Sequence, residues 1–594
     1  MLKKIFTIGL LALPVVGGAA FLHQYGVNVL FWDEFHFAPL ATRETWPDLT
    51  VLFRQHNEHR IFFPNILYLL IAKASAMNSL AAMWASFALV TMLYSAILWA
   101  LSRADARRSQ ATPMLGFTLP GLLIGVMLFY PSQWENILWG FQLGFYMTFV
   151  FSMLAFLCFS LALEQIGASG REFAWLFITS IVCAVIASFS SGQGLMVWPV
   201  LTALWLVAQS GKKTLATRPF WIWLAAGIGC WLLYFHGYHK PNHHPSLTTI
   251  TDMPIQFEEY LLALFGGAVG WPKSPILLGA IGILVLGGMT ICLAHFCIFC
   301  FTGRASEQSI IKSEIFAVSV IGYSFLSGLS IVVGRAGLGW QQALSSRYCT
   351  FTLAMLWGIL LYLAVSPNLG KAGSRSRLAA YICFPLVTAM LFAAWPSNMN
   401  MVENEKIQKR LRQYYLQTAK WQSDENLKRL FPAPERVRQD AARLREKGYN
   451  AFADLRARTP DWPTIQRIAM TQKMPMLFLD RADVTTGKHP LLQLRGWTFD
   501  PKSKKAAQSV WLALGKERFL LFYGAPRKDV AQALKNADLS HLGFTADIPL
   551  AALQPGDYPL TILVVSADGK NLYERAQGVR LSHDAHGWRL MSLR

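Results

Sequence analysis

Uninterrupted apolar blocks of roughly twenty residues recur from Ile5 to about residue 395, each long enough to cross a hydrocarbon core of about 30 Å. Nothing else in the chain limits its fold as strongly. Composition agrees: 54% of the 594 residues are hydrophobic and 15% charged, where a soluble protein carries about a quarter charged. A polytopic α-helical membrane protein is expected. The net charge of +20 comes with no nucleic-acid motif. In such a protein, basic residues set topology and meet anionic headgroups, so membrane lipids are expected partners and nucleic acid is not. All eight cysteines lie between Cys158 and Cys383, in or beside apolar runs, and no disulfide framework is readable. Cys292, Cys297 and Cys300, near His295, read as packing rather than as metal ligands.

Lys3 and Lys4 before Ile5–His23 mark a retained signal-anchor with a cytoplasmic N-terminus. Spans are predicted near 5–24, 79–101, 114–131, 140–164, 173–190, 195–210, 219–236, 275–301, 314–333, 350–366 and 377–395, about eleven in all. Residues 61–75, which contain Pro64, are assigned to the outer interface as an amphipathic helix. If they crossed instead, Arg103, Arg107 and Arg108 would lie outside. The loops then placed inside hold Lys212, Lys213 and Arg218, then Arg304 and Lys312, then Lys371, Arg375 and Arg377. The outer loops are 25–78, 131–140, 190–194, 237–275 and 334–350.

Past Trp395-Pro396 the composition changes. Residues 401–470 are rich in Lys, Arg, Glu and Gln at helical spacing, and from about 473 short alternating strands follow, such as "PLLQLRGWTFD" and "YPLTILVVSADG". The domain reading is a transmembrane domain at 1–395, a periplasmic helical connector at 396–472 and a small all-β sandwich at 473–594.

Sorting the unusual polar residues by side puts them on one face. The outer loops hold Asp33, Glu34, His56, Glu58, His59, Arg60, Gln133, Trp134, Glu135, Gln193, Arg335, Arg347 and Tyr348. Acids and amides at membrane boundaries cost solvation energy unless they face a cavity or act. A carboxylate at the end of a span can accept a proton from an attacking hydroxyl, and an arginine fork suits phosphate oxygens. Trp134, Trp139 and Trp340 suit sugar rings or an interfacial belt. His56 and His59 are three apart and could share a helical face, but no clean metal-ligand spacing is present and no metal cofactor is assigned. In the sandwich, Trp497, Tyr523 and Arg527 are candidates for sugar binding.

The runs "FWDEFHF", "HNEHRIFFP", "QWENILWGFQ", "FSSGQGLMVWP" and "SSRYCTF", together with acids directly after the first span and a soluble domain after the last, resemble the C-type superfamily of lipid-carrier-dependent glycosyltransferases, in a bacterial branch. The similarity covers roughly residues 1–395. It implies an inner-membrane enzyme with a polyprenyl-phosphate-linked sugar as donor, inversion at the anomeric carbon, and a periplasmic cell-surface glycan or lipid as acceptor. It also implies Asp33 as general base with Glu34 assisting, and Arg347 on the carrier phosphate. The Asp-Glu pair leaves open which acid acts. The rival readings are a flippase for a lipid-linked saccharide and an outer-face polysaccharide ligase.

Overall fold

The computed structural model describes residues 2–106, 118–164, 170–208, 217–241, 249–270, 274–301, 308–365, 375–470, 477–485, 490–584 and 587–592. Among them, eight helices are long and apolar enough to cross a bilayer: Ile5–Tyr25, Ser79–Arg103, Gly140–Leu163, Gly170–Ser188, Pro275–Phe301, Glu314–Leu338, Ser346–Val365 and Leu378–Gln417. This is the architecture of a membrane-embedded protein, since backbone inside a bilayer must satisfy its own hydrogen bonds. The predicted spans at 114–131, 195–210 and 219–236 correspond to shorter helices, Leu119–Leu128, Val197–Ala208 and Arg218–Phe235. Residues 61–75 form the 13-residue helix Phe62–Ala74. Of the basic residues that assigned the inner loops, Arg107, Arg108, Lys212, Lys213, Arg304 and Lys371 lie outside the described residues.

The chain divides into two compact units. The first comprises Met1–Gly26, Trp46–Ile71 and Leu80–Glu403; the second comprises Val27–Thr45, Ala72–Ser79 and Asn404–Arg594. The membrane unit is held by a continuous apolar core contributed by most of its helices. Helices 254–266 and 275–301 approach closely because a glycine faces the contact. A Cβ on Gly282 would lie 2.4 Å from the Leu262 carbonyl oxygen.

The helix Arg375–Gln417 runs unbroken through Pro385 and Pro396. The apolar last span and the polar segment after Trp395 are therefore one element. Beyond it the second unit has helices Asp424–Lys428, Pro434–Lys447 and Ala451–Arg458. Asn450, at φ +51°, ties its distant pieces together. Its amide nitrogen reaches Asn28 Oδ1 (3.0 Å), the Met77 carbonyl (2.6 Å) and Ser79 Oγ (3.2 Å), while its Oδ1 accepts the Leu30 amide (3.2 Å). Residues 27–30 and 76–79 are thereby fastened to the C-terminal part of the chain.

Among the described residues, ten strands build the sandwich: β1 (Gln466–Ala469), β2 (Leu477–Val484), β3 (Leu491–Thr498), β4 (Ser509–Leu514), β5 (Glu517–Leu520), β6 (Phe522–Ala525), β7 (Gly543–Pro549), β8 (Asp557–Val565), β9 (Asn571–Asp584) and β10 (Gly587–Ser592). One sheet runs β10-β9-β8-β4-β5, with β1 parallel to β9; the other runs β2-β3-β7-β6. Alternation sets the facing. Leu492 and Leu494 of β3 meet Val510, Leu512 and Leu514 of β4 and Ile562 of β8 in the shared core, while Gln493 and Arg495 point away. Strand β4 is buried on both sides, because Trp511 and Ala513 pack beneath Leu455 and Trp462. Asp500 clasps the loop after β3. Its carboxylate accepts the Lys502 amide (3.0 Å), the Ser503 hydroxyl (2.7 Å) and the Ala567 amide (3.0 Å).

Candidate functional site

In the membrane unit, the predicted residues His56, Glu58, His59 and Arg60 sit on a hairpin. Gln55–His56 pairs with His59–Arg60, and Asn57 makes the reversal at φ +49°, a conformation asparagine tolerates. His56 and His59 are cross-strand partners and do not share a helical face. The His56 ring packs against Phe141 (5.4 Å between centroids). Arg60 is buried, and its guanidinium is taken up by backbone. Nε donates to the Tyr234 carbonyl (2.6 Å), Nη1 to that of Phe53 (3.2 Å) and Nη2 to that of His236. It anchors the hairpin.

What the anchored hairpin presents is Glu58 and His59. The Glu58 carboxylate pairs with Arg335, at the C-terminal end of helix Gln308–Arg335, and both side chains are 23% exposed. His59 Nδ1 accepts the Gly192 amide (3.2 Å), so a neutral ring carries its proton on Nε2, 3.7 Å from Glu58 Oε1. Gly192 opens the turn after helix Gly170–Ser188. That turn needs its next glycine, since a Cβ on Gly194 would lie 1.9 Å from the Ala187 carbonyl oxygen. Gln193 is buried in this turn and accepts the Ser191 hydroxyl.

The second arm joins the turn and short helix at 131–138 to the turn Ser346–Tyr348. The Glu135 amide donates to Ser346 Oγ (3.0 Å), and Asn136 Nδ2 donates to the Arg347 carbonyl (2.8 Å) and to Thr350 Oγ1 (2.7 Å). Gln133 is wholly engaged: Nε2 caps the carbonyls of Met127 and Leu128 (2.9 Å each), and Oε1 accepts Thr350 Oγ1 (2.7 Å). The Trp134 indole N–H is buried and has no acceptor among the described residues. The Arg347 guanidinium lies 5.6 Å from the Tyr348 ring centroid, and the carboxylates of Glu135 and Glu58 both act on its charge. Gln342 donates to the Tyr348 hydroxyl (2.8 Å) and accepts that of Tyr260. Both arginines act on Tyr260.

Glu58, His59, Glu135, Arg335, Arg347 and Tyr348 thus share one neighbourhood, framed by Tyr260 and Gln342. Arg60, Gln133 and Gln193 hold its walls. Tyr260 and Gln342 were not among the predicted residues. Tyr260 lies within segment 237–275, read from the sequence as an outer loop, where Glu258-Glu259 precedes it and the apolar run Leu261–Phe265 follows it and masks it as packing. Two guanidinium forks beside two carboxylates can hold a phosphate ester while accepting protons or hydroxyl hydrogen bonds next to it. Among the described residues, no group of three or more His, Cys, Asp or Glu side chains is arranged to hold a metal ion.

The acidic pair belongs to the other unit, in the five-residue turn Trp32–His36. Its two acids differ. Glu34 is fully buried and its Oε2 accepts the Phe31 amide (3.1 Å), closing the turn on itself, whereas Asp33 is partly exposed. Phe35 packs on Phe431 (5.7 Å), Arg412 lies over Phe31 (4.3 Å), and Arg436 donates to the Phe35 carbonyl (3.0 Å). Trp32 sits at φ +47°, costly for a bulky residue, and is fixed by its amide donating to the Leu430 carbonyl (2.9 Å). This backbone directs Glu34 inward and leaves Trp32 and Asp33 outward.

No family model matches the chain, and neither curated proteins nor solved structures yield a match.

Proposed function

We propose that the chain is an inverting glycosyltransferase of the bacterial inner membrane, moving a sugar from a polyprenyl-phosphate carrier to a periplasmic cell-surface glycan or lipid. The observation that carries the reading is the Arg335–Glu58 ion pair with a second arginine, Arg347, in the same neighbourhood, its charge felt by Glu58 and Glu135, in a unit built of long apolar helices. An arginine pair in such surroundings suits a lipid-borne phosphate leaving group, whose charge grows as the glycosidic bond breaks. Beside the eight long helices, the apolar runs 114–131, 195–210 and 219–236 count as crossings in this reading, about eleven in all. The described helices Leu119–Leu128, Val197–Ala208 and Arg218–Phe235 form only part of those runs. The N-terminus is then cytoplasmic, and the helices and sandwich after residue 396 are periplasmic.

In this reading Asp33, the partly exposed acid of the turn in its own unit, is the residue proposed to accept the acceptor's proton, and Glu34 keeps the turn's shape. Arg347 and Arg335 stabilise the departing phosphate. The test incubates the purified protein with polyprenyl-phosphate sugars and a cell-envelope acceptor extract, following transfer and release of the carrier phosphate. Asp33→Asn is expected to lower turnover by about 10²–10⁴-fold with folding intact. Turnover near wild type in that variant removes Asp33 as base. Absence of carrier-phosphate release with every donor overturns the reading.

A further inference from the structure

The sandwich carries a surface that the transferase reading does not use. On the outward face of the four-stranded sheet, Phe478 of β2 is the register partner of Trp497 of β3. Their rings stack at 4.6 Å and 20°, and Trp497 lies nearly parallel to Phe499, at 6.3 Å and 8°. The row is graded. Phe499 is buried beneath Val530, Leu539 and Leu542, Trp497 is half-buried, and Phe478 is 43% exposed. Because one ring face of Phe478 is taken by Trp497, its exposure lies on the side away from the stack.

Beside this row runs a fixed polar rail. The Arg527 guanidinium lies 6.0 Å from the Trp497 ring centroid. It donates through Nε and Nη2 to Asp529 (2.9 and 2.7 Å) and through Nη1 to Asp480 (2.5 Å). Both carboxylates keep water-facing surface, with Asp480 43% and Asp529 65% exposed. The rail therefore offers oriented acceptors beside the aromatic row, tied to it through the Arg527 guanidinium next to Trp497. Two carboxylates against one guanidinium leave it one negative charge. A phosphate, a nucleotide or an acidic sugar would be repelled, whereas hydroxyl groups can donate to the free carboxylate lone pairs. Tyr523, which the sequence also offers as a sugar contact, is absorbed by the scaffold. Its hydroxyl donates to the Thr498 carbonyl (2.8 Å) and accepts the Ala507 amide (3.1 Å).

From this juxtaposition we infer that the sandwich is a binding module for a neutral saccharide, whose ring stacks on Phe478 while its hydroxyls meet Asp480 and Asp529. Trp497 and Arg527 are its positioning residues, the first by backing the platform and the second by aligning the carboxylates. The module stands independently of the transferase reading, because binding needs neither donor nor turnover.

The experiment applies the full-length protein, in nanodiscs and without any lipid-linked donor, to an array of neutral and acidic oligosaccharides. Titration calorimetry then follows the best neutral oligosaccharide. Selective binding of neutral members is expected. Phe478→Leu, which keeps an apolar side chain but loses the flat ring, should weaken binding about tenfold, and Phe478→Tyr should restore it. Asp480→Asn should also weaken binding while leaving thermal unfolding of the protein unchanged. Three results each overturn the inference: no neutral oligosaccharide bound across the array, equal affinity for Phe478→Leu and wild type, or preference for the acidic members.

Discussion

The ion pair between Glu58 and Arg335 serves two ends that a single substitution would confuse, the shape of the hairpin and the charge offered to a ligand. Both side chains are 23% exposed, so water reaches them only in part. An exposed pair contributes about 0–1 kcal/mol, and stripping one partner from a fully buried pair costs about 3–5 kcal/mol. Arg335→Gln, which removes the guanidinium paired with Glu58 and leaves the His59 imidazole 3.7 Å from its carboxylate, should therefore cost about 2 kcal/mol. Glu58→Gln should cost a similar amount. The double variant loses both charges and leaves none stranded, so it should recover about 1–2 kcal/mol relative to the sum of the singles. Unfolding free energies from SDS titrations in mixed micelles, read for all four proteins, give this coupling. Additivity within about 0.3 kcal/mol would show that the pair is not coupled and that the hairpin stands without it. Function should follow a different rule. If Arg335 holds a carrier phosphate, the double variant regains stability but not turnover. If its role is only structural, turnover returns with the fold.

Two carboxylates in the second unit should titrate with opposite sign. Burial works against the charge on Asp500, but hydrogen bonds from the Ser503 hydroxyl and the Ala567, Lys502 and Ser503 amides outweigh it and hold the carboxyl below its ordinary range. A depressed value means its stabilisation is present at neutral pH and is lost as pH falls through the acidic range. Asp500→Ala should cost about 3 kcal/mol or more at pH 7, and the deficit should shrink in thermal melts taken at progressively lower pH. Asp454 is the converse case. Burial raises its carboxyl above the ordinary value, and Arg458 with the amides of Asn28 and Gln413 offsets this only in part. A raised value means that the stabilisation present below the unfolded pKa is lost as pH rises through the folded one, so at pH 7 the ionised group is a burden. Asp454→Asn keeps an acceptor for Gln413 Nε2, now 2.8 Å away. It should melt higher than wild type at pH 7, with the gap closing toward pH 4. A lower melting temperature for Asp454→Asn at pH 7 would contradict this account.

What could be read from the residues alone is what local periodicity encodes. The alternation in "LLQLRGWT" specifies β3 and its inward leucines, and twenty-residue apolar runs specify helices whatever their neighbours. Failures occur where the deciding partner is remote or the local rule is weak. Pro396 after Trp395 reads as a terminus, yet the helix continues to Gln417, because a proline removes one hydrogen bond and the remaining turns hold their own. Gln466–Ala469 has no strand pattern, and its place comes from Asn571–Glu574, a hundred residues on. "HNEHR" is too short for any period to show, so helix and hairpin looked alike until Asn57 turned the chain. The acidic turn makes the point most sharply. Nothing in "FWDEFHF" says which carboxylate is spent on its own backbone, since that follows from Leu430, Phe431 and Arg436 packing on it from about 400 residues away. Those contacts turn Glu34 inward and Asp33 outward, and so convert an ambiguous pair into one residue whose neutralisation tests chemistry and one whose neutralisation tests shape.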